Sequence, residues 1–257
     1  MAMQDISGSR VPEVTFQTLG DEGFQAVSSS DLFRGKTVVV FALPGAFTPT
    51  CSSTHLPRYN ELAPSFRACG VDSILCVSVN DAFVMNAWRA DQHAGNIEFV
   101  PDGSGAFSKG MGALVNKDDL GFGLRSWRYS MLVRDGVIEK MFIEPNEPGD
   151  PFKVSDADTM LDYIDAKAKK PQRIAVFSKP NCGYCRKAKQ LLRDSGLAYE
   201  EVELGKQGNS YALLAPVSGA ATAPQVFVDG QLIGGAEQLA QWLAQNSAPA
   251  APRLHVG

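Results

Sequence analysis

The chain has 257 residues, enough for one large domain or two modest ones, and its 44% hydrophobic and 20% charged residues are ordinary values for a globular protein with a sizeable core. A net charge of -4 argues against nucleic acid or an anionic membrane as the principal partner. The opening MAMQDISGSR lacks the apolar core of a secretory signal, and no apolar run approaches the roughly 18 residues that span a bilayer, so a cytoplasmic location without membrane attachment is expected.

In chain order, the apolar run Thr37–Leu43 predicts a buried strand that stops at the turn PGAFTPTC. A helical pattern follows over Ser52–Ala68, then a strand over Ser73–Val79 and a helix over Ala82–His93 with Phe83, Ala87 and Trp88 on one face. Tyr129–Val133 predicts a strand that leads through the turn RDG into VIEKMFIE. In SDADTMLDYID, Ser155 can cap a helix on which Met160, Leu161 and Ile164 recur at helical spacing. DAKAKKPQR, from Asp165 to Arg173, is charged and broken by Pro171, and reads as a linker. Beyond it come a strand over Ile174–Phe177, a helix over Cys185–Ser195 and a strand over Tyr199–Leu204. The hairpin QVFVDGQLIGG with its Asp-Gly turn and the helix AEQLAQWLAQ complete the pattern. The closing NSAPAAPRLHVG has too little apolar content to pack and reads as a frayed tail. Strand and helix alternate in both halves, so both are α/β. The expected division is a first domain over 1–165, a linker over 166–172, a second domain over 173–246 and a flexible tail over 247–257.

Five cysteines (Cys51, Cys69, Cys76, Cys182 and Cys185) in a reducing compartment suit thiol chemistry better than a disulfide framework. Cys51 follows a strand and stands in the first turn of a helix, where free backbone N–H groups and the helix dipole favour the thiolate. Thr48 sits three residues earlier, on a turn held by Pro49, and its hydroxyl can reach the thiolate or an incoming oxygen. Pro44 and Pro49 stiffen the loop and shield the sulfur. Such an arrangement suits attack on a small electrophile. The alternative for a lone cysteine at a helix start is a buried, inert thiol.

The stretch PGAFTPTCSSTHLP resembles the active-site loop of peroxiredoxins, in the peroxiredoxin-5 subgroup. The resemblance continues through CVSVND, VMNAW, PDGSGAFSKGMG and WRYSMLVRDG and covers nearly all of the first 150 residues. It implies that Cys51 is the peroxidatic cysteine, with Thr48 and Pro44 as loop partners and Arg128 as the guanidinium beside the sulfur. An obligate cation there would stabilise both the thiolate and the charge that develops on the departing oxygen. Cys76, in the buried-strand pattern ILCVSV, and Cys69, in RACG at a helix end, read as structural. Some members of the subgroup carry a second, resolving cysteine after the last strand, whereas the corresponding EPNEPGDPFKVS contains none. The sulfenic acid would then need an outside thiol. His55 lies four residues after Cys51, and a Cys-His dyad would suggest a cysteine hydrolase. The THLP segment belongs instead to the peroxiredoxin pattern.

In NCGYC the cysteines are three apart at a helix start, so both sulfurs face one side and Cys182 takes the dipole. The pair could also be a zinc half-site, but no second pair lies at ligand spacing, and no metal is expected. KPNCGYC, TAP and GGAEQL appear in order and resemble glutaredoxins over roughly 172 to 245. That resemblance implies glutathione as the reducing co-substrate, with no tightly bound cofactor. It also implies a groove formed by Lys179, Tyr184, Thr222, Ala223, Pro224 (expected cis), Gly235, Ala236 and Glu237. Two departures are the Gly183 of CGYC in place of a proline, and Glu237-Gln238 where an aspartate pair is common.

The whole is read as a peroxiredoxin–glutaredoxin fusion of two thioredoxin-fold domains. It would reduce hydrogen peroxide and small alkyl hydroperoxides through Cys51, and Cys182 and Cys185 would recycle the glutathione mixed disulfide. A homo-oligomer, dimer or tetramer, is expected. Two other readings are a redox relay that oxidises partner proteins and a cluster-binding module in which the CGYC thiolate and glutathione ligate iron–sulfur.

Overall fold

The computed structural model describes residues 3–20, 23–206 and 208–246. The chain divides into two compact units, Met1–Lys170 and Pro171–Gly257. The tail expected over 247–257 lies outside the described residues.

The first unit begins with the antiparallel pair β1 (Thr15–Gly20) and β2 (Gly23–Ser28) and a short helix α1 (Ser29–Phe33). Then follow β3 (Thr37–Ala42), α2 (Leu56–Ala68), β4 (Ser73–Ser78), α3 (Ala82–Asp91), β5 (Glu98–Pro101) and α4 (Ala106–Gly110). The short pair β6 (Leu114–Asn116) and β7 (Leu124–Ser126) precedes β8 (Tyr129–Arg134), β9 (Val137–Ile143) and α5 (Ala157–Ile164). The central sheet has the order β5-β4-β3-β8-β9, with β3, β4 and β5 parallel and β8 and β9 antiparallel. β3 is an unbroken apolar run because both its faces are covered. Val39 and Phe41 enter the core shared with α2 and α5, and Val38, Val40 and Ala42 enter the core on the opposite face.

The second unit repeats the central part of this plan. It runs β10 (Ile174–Ser178), α6 (Gly183–Asp194), β11 (Glu200–Glu203), α7 (Leu214–Ser218), β12 (Gln225–Val228), β13 (Gln231–Gly234) and α8 (Ala236–Asn246). Its sheet order, β11-β10-β12-β13, matches β4-β3-β8-β9 with the same parallel and antiparallel senses. This is the thioredoxin-fold arrangement expected twice over. In both units the central strand ends at the cysteine-bearing turn. Both Asp-Gly hairpins are as expected, since Asp135, Gly136, Asp229 and Gly230 all take the positive φ that a type I′ turn demands.

Three local readings change. The helix expected over Ser52–Ala68 opens with a wide π-type turn, Cys51–His55, before α2 proper. Such turns recur at functional sites because they re-aim side chains. α3 buries Ala82, Met85 and Trp88 rather than Phe83 and Ala87. Phe83 is 61% exposed and stands edge-on to Phe24, because the fully buried Trp88 fixes the inward face at a spacing of three. α5 is capped by Asp156, which accepts from Thr159 N, because the Ser155 hydroxyl is already donated to Glu144.

The first part of the expected linker is tied to its unit. The Ser65 hydroxyl donates to Lys169 O, and Lys170 pairs with Asp158 and Asp162 on α5. Pro64 inside α2 removes a donor, and the Asn60 carbonyl it would have served accepts from Asn96 Nδ2 instead.

Candidate active site

The turn after β3 carries Pro44 to Cys51. Its shape is held by short polar contacts: Asn80 Oδ1 accepts from Ala46 N at 3.0 Å and from the Ser78 hydroxyl at 2.7 Å. Phe47 adopts a left-handed φ of 62°, a strained conformation for a non-glycine residue and typical of functional loops. The Thr48 hydroxyl donates to Gly45 O at 2.9 Å. It therefore braces the turn, and its hydrogen bond is not made to the sulfur as the sequence suggested, because the carbonyl of its own turn is the acceptor it meets.

Cys51 is 0% exposed, in the core beneath the turn. Arg128, at the entrance to β8, is itself buried, and its Nη1 donates to Cys51 Sγ at 3.5 Å and to His55 Nδ1 at 3.1 Å. Its Nη2 donates to Asp150 Oδ2 in an ion pair, and the Phe152 ring lies 5.6 Å from its guanidinium carbon. Burial opposes the guanidinium charge, but the Cys51 sulfur and Asp150 more than offset this and raise its pKa. The sequence brought Cys51 and Arg128 together only through resemblance, and the fold brings them together in space, 77 residues apart.

His55, Asp150, Phe152 and Glu144 were not read as site residues. His55 is fully enclosed by Phe41, Tyr59 and Phe152. Because Nδ1 accepts from a permanent cation, the ring proton sits on Nε2, which donates to Ser155 O at 3.2 Å. No hydrogen bond joins this ring to Cys51 among the described contacts, so the hydrolase-type dyad is not formed. The one sequence signal was the spacing of four from Cys51. Glu144, also buried, accepts from the backbone N–H groups of Lys153, Val154 and Ser155 and from the Ser155 hydroxyl. Burial would raise its pKa, yet those hydrogen bonds lower it. The loop from Glu144 to Ser155 is thereby folded back over Arg128. Pro44, Lys117, Trp127, Arg128, Pro145 and Asp150 are among the residues around a cavity of about 80 Å³ beside it.

Burial, and after it the Arg128 charge, push the His55 imidazole down to about 3. The unfolded chain would take up a proton near pH 6.5 that the folded chain refuses until about pH 3, so stability should fall as pH drops through that window. The expected slope is at most about 1.4 kcal/mol per pH unit. Denaturant midpoints between about pH 6.5 and pH 5, above the carboxylate range, isolate this contribution, and His55→Asn should flatten them. A wild-type midpoint that stays constant across that interval would contradict the buried neutral ring.

Cys76 lies on β4, opposite Phe41 in register and buried in the same core as Cys51. Burial, with a smaller contribution from Cys51, pushes its thiol well up. Cys69 is half-buried and caps the C-terminus of α2.

In the second unit Cys182 is the N-cap of α6, and its sulfur accepts from Cys185 N at 3.1 Å. Cys182 and Cys185 are joined as a disulfide. Cys182 Sγ stands 3.7 Å from Ala223 O, and the Ala223–Pro224 peptide is cis, as expected. Gly235 is a neighbour of Pro224, since a Cβ at that position would lie 3.7 Å from Pro224 O, an ordinary van der Waals contact. The motifs NCGYC, TAP and GGAEQL therefore meet at one end of the sheet. Lys179, Tyr184, Thr222 and Glu237 are exposed around them, while Ala236 is buried at the start of α8. The Gly235 N–H is taken by Gln238 Oε1 at 3.1 Å, so the free donors at this helix start begin at Ala236.

Comparison with known proteins gives two family matches: Redoxin over residues 6–161 and Glutaredoxin over residues 174–233. A relative described as "Hybrid peroxiredoxin hyPrx5", from Haemophilus influenzae, is 60% identical over 242 residues, covering 94% of this chain and 100% of that protein. "Peroxiredoxin sll1621" from Synechocystis is 55% identical over 168 residues, or 60% of this chain and 89% of that one. Among solved structures, reduced Prx3 from Vibrio vulnificus in complex with hydrogen peroxide is 42% identical with a TM-score of 0.60, over 63% of this chain and 100% of that one.

Proposed function

The chain belongs to the peroxiredoxin family, in a hybrid form with a C-terminal glutaredoxin domain, and from that premise we propose that it is a glutathione-dependent thiol peroxidase acting on hydrogen peroxide and small alkyl hydroperoxides. Peroxiredoxins are peroxidases, so the reaction class is oxidoreduction. The observation that carries the finer reading is that one chain holds a buried sulfur 3.5 Å from a buried guanidinium and also a cysteine pair at the head of a second unit's helix.

In this reading the Cys51 thiolate attacks the distal peroxide oxygen, the O–O bond breaks, and the leaving alkoxide or hydroxide takes up a proton. Arg128 Nη1 stabilises the thiolate beforehand and the charge on the departing oxygen during the step. The Cys51 sulfur has no exposed surface, so peroxide and glutathione both reach it only as the turn at Cys51–His55 opens, and the bulkier glutathione needs the wider opening. Glutathione then condenses with the sulfenic acid, forming a mixed disulfide and releasing water. The Cys182 thiolate attacks the glutathione sulfur, Cys51 leaves as thiolate, and a second glutathione releases oxidised glutathione from Cys182. The absence of a cysteine from 144–155 fits a sulfenic acid cleared by an outside thiol. Tethering the reductase on the same chain raises its effective concentration to about the millimolar range.

The test is a steady-state assay with peroxide, glutathione, glutathione reductase and NADPH. NADPH oxidation should require the protein, peroxide and glutathione together. Turnover that appears only with a different dithiol reductant would refute glutathione as the co-substrate.

A further inference from the structure

We propose that Asp150 is a positioning residue for the peroxide-reducing step: by holding one end of the Arg128 guanidinium, it keeps the other end aimed at the Cys51 sulfur. The inference rests on reading Cys51 as the peroxidatic cysteine.

A guanidinium is a rigid fork whose donors point in fixed directions. Here Nη1 is shared between Cys51 Sγ and His55 Nδ1, Nη2 is given to Asp150 Oδ2, and Nε is buried with no partner. Without the Asp150 carboxylate, Nη2 as well as Nε would be buried donors without acceptors, an arrangement that folded proteins avoid. The guanidinium would then turn toward the cavity that Arg128 and Asp150 both line, and Nη1 would leave the sulfur.

Charge gives a second reason. The Arg128 side chain is 2% exposed, and a buried cation requires a counter-charge. The Cys51 thiolate supplies one in the reduced enzyme, but the neutral sulfenic acid does not. Asp150, whose side chain is 43% exposed, pairs with Arg128 independently of the sulfur. Its placement is set by the loop. Glu144 gathers the N–H groups of Lys153 to Ser155, which folds the chain back so that Asp150 and Phe152 both return to Arg128.

The experiment measures single-turnover oxidation of Cys51 by hydrogen peroxide, alongside thermal melting, in the full chain. Asp150→Ala is expected to slow this step about tenfold to a hundredfold, the scale of a misplaced catalytic group, when assayed at a temperature where the variant is fully folded, with a lowered melting temperature from the unpaired Arg128 guanidinium. In an Arg128→Lys background, which has no second nitrogen for Asp150 to hold, the same change should slow the step no further. The isosteric Asp150→Asn should also be slower than wild type, and it serves in place of the alanine variant if that one does not fold. Oxidation within about twofold of wild type in the Asp150 variant, or a loss that multiplies with Arg128→Lys, would overturn the proposal. Failure of the underlying reading looks different: the wild-type Cys51 itself would not react with peroxide.

Discussion

Cys51→Ser is expected to reduce peroxide turnover by about four orders of magnitude or more, the scale seen when a covalent nucleophile is removed. A serine hydroxyl stays protonated at neutral pH and is a poor nucleophile toward an O–O bond, so neither the turn nor Arg128 can compensate. Among the described hydrogen bonds, Arg128 donates to the sulfur of Cys51, at 3.5 Å. Cys69→Ser should leave peroxide reduction nearly unchanged, since it lies at the end of α2. Cys76→Ser should cost stability, about 1–3 kcal/mol for a hydroxyl placed in an apolar core, while the surviving enzyme reacts with peroxide. The measurement is stopped-flow oxidation of each variant beside its denaturation curve. Substantial turnover by Cys51→Ser would remove the assignment, whatever the other variants do.

The second large effect separates the cysteines of the second unit. Cys182 caps α6 and is 8% exposed, while Cys185 lies inside the first turn and is 2% exposed. Resolving a mixed disulfide needs one attacking thiolate, and the glutathionyl group then rests on that sulfur. Cys182 has both the position and the access, because its sulfur already accepts the Cys185 N–H and lies beside Ala223. Cys182→Ser should therefore eliminate glutathione-dependent turnover, although Cys51 still forms its sulfenic acid in a single turnover. Cys185→Ser should reduce turnover by less than about tenfold, because free glutathione can complete the cycle by the monothiol route. Cys182 and Cys185 are paired as a disulfide, so the dithiol route is an alternative. If losing Cys185 proved as damaging as losing Cys182, electrons would have to pass through the Cys182–Cys185 disulfide.

The two-unit plan could be read in the sequence because it rests on local signals. The apolar run at β3 and the alternation of strand and helix are periodic features of neighbouring residues, and the Asp-Gly turns specify their own backbone angles. The cysteine positions follow at once, since each motif sits at a strand-to-helix junction that its own residues define. The face of α3 was misread because the sequence offers Phe83 and Trp88 as equal candidates for burial, and only packing against the sheet selects Trp88.

The surroundings of the Cys51 sulfur were decided elsewhere. Asp150, Phe152 and Glu144 lie in a Pro-rich loop with no periodicity, so nothing local in EPNEPGDPFKVS points to Arg128. Their role emerges once β8 and β9 pair antiparallel and carry Arg128 and the start of that loop to the mouth of β3. His55 was visible as a neighbour of Cys51 in sequence, but its partners, Arg128 and Ser155, come from 73 and 100 residues away. The sequence by itself therefore determined which cysteines are the candidate nucleophiles, because residue type and placement at a helix start can be read locally. The tertiary structure alone determined how they are held, because a buried charge takes its counter-charges from whatever the long-range strand pairing brings beside it.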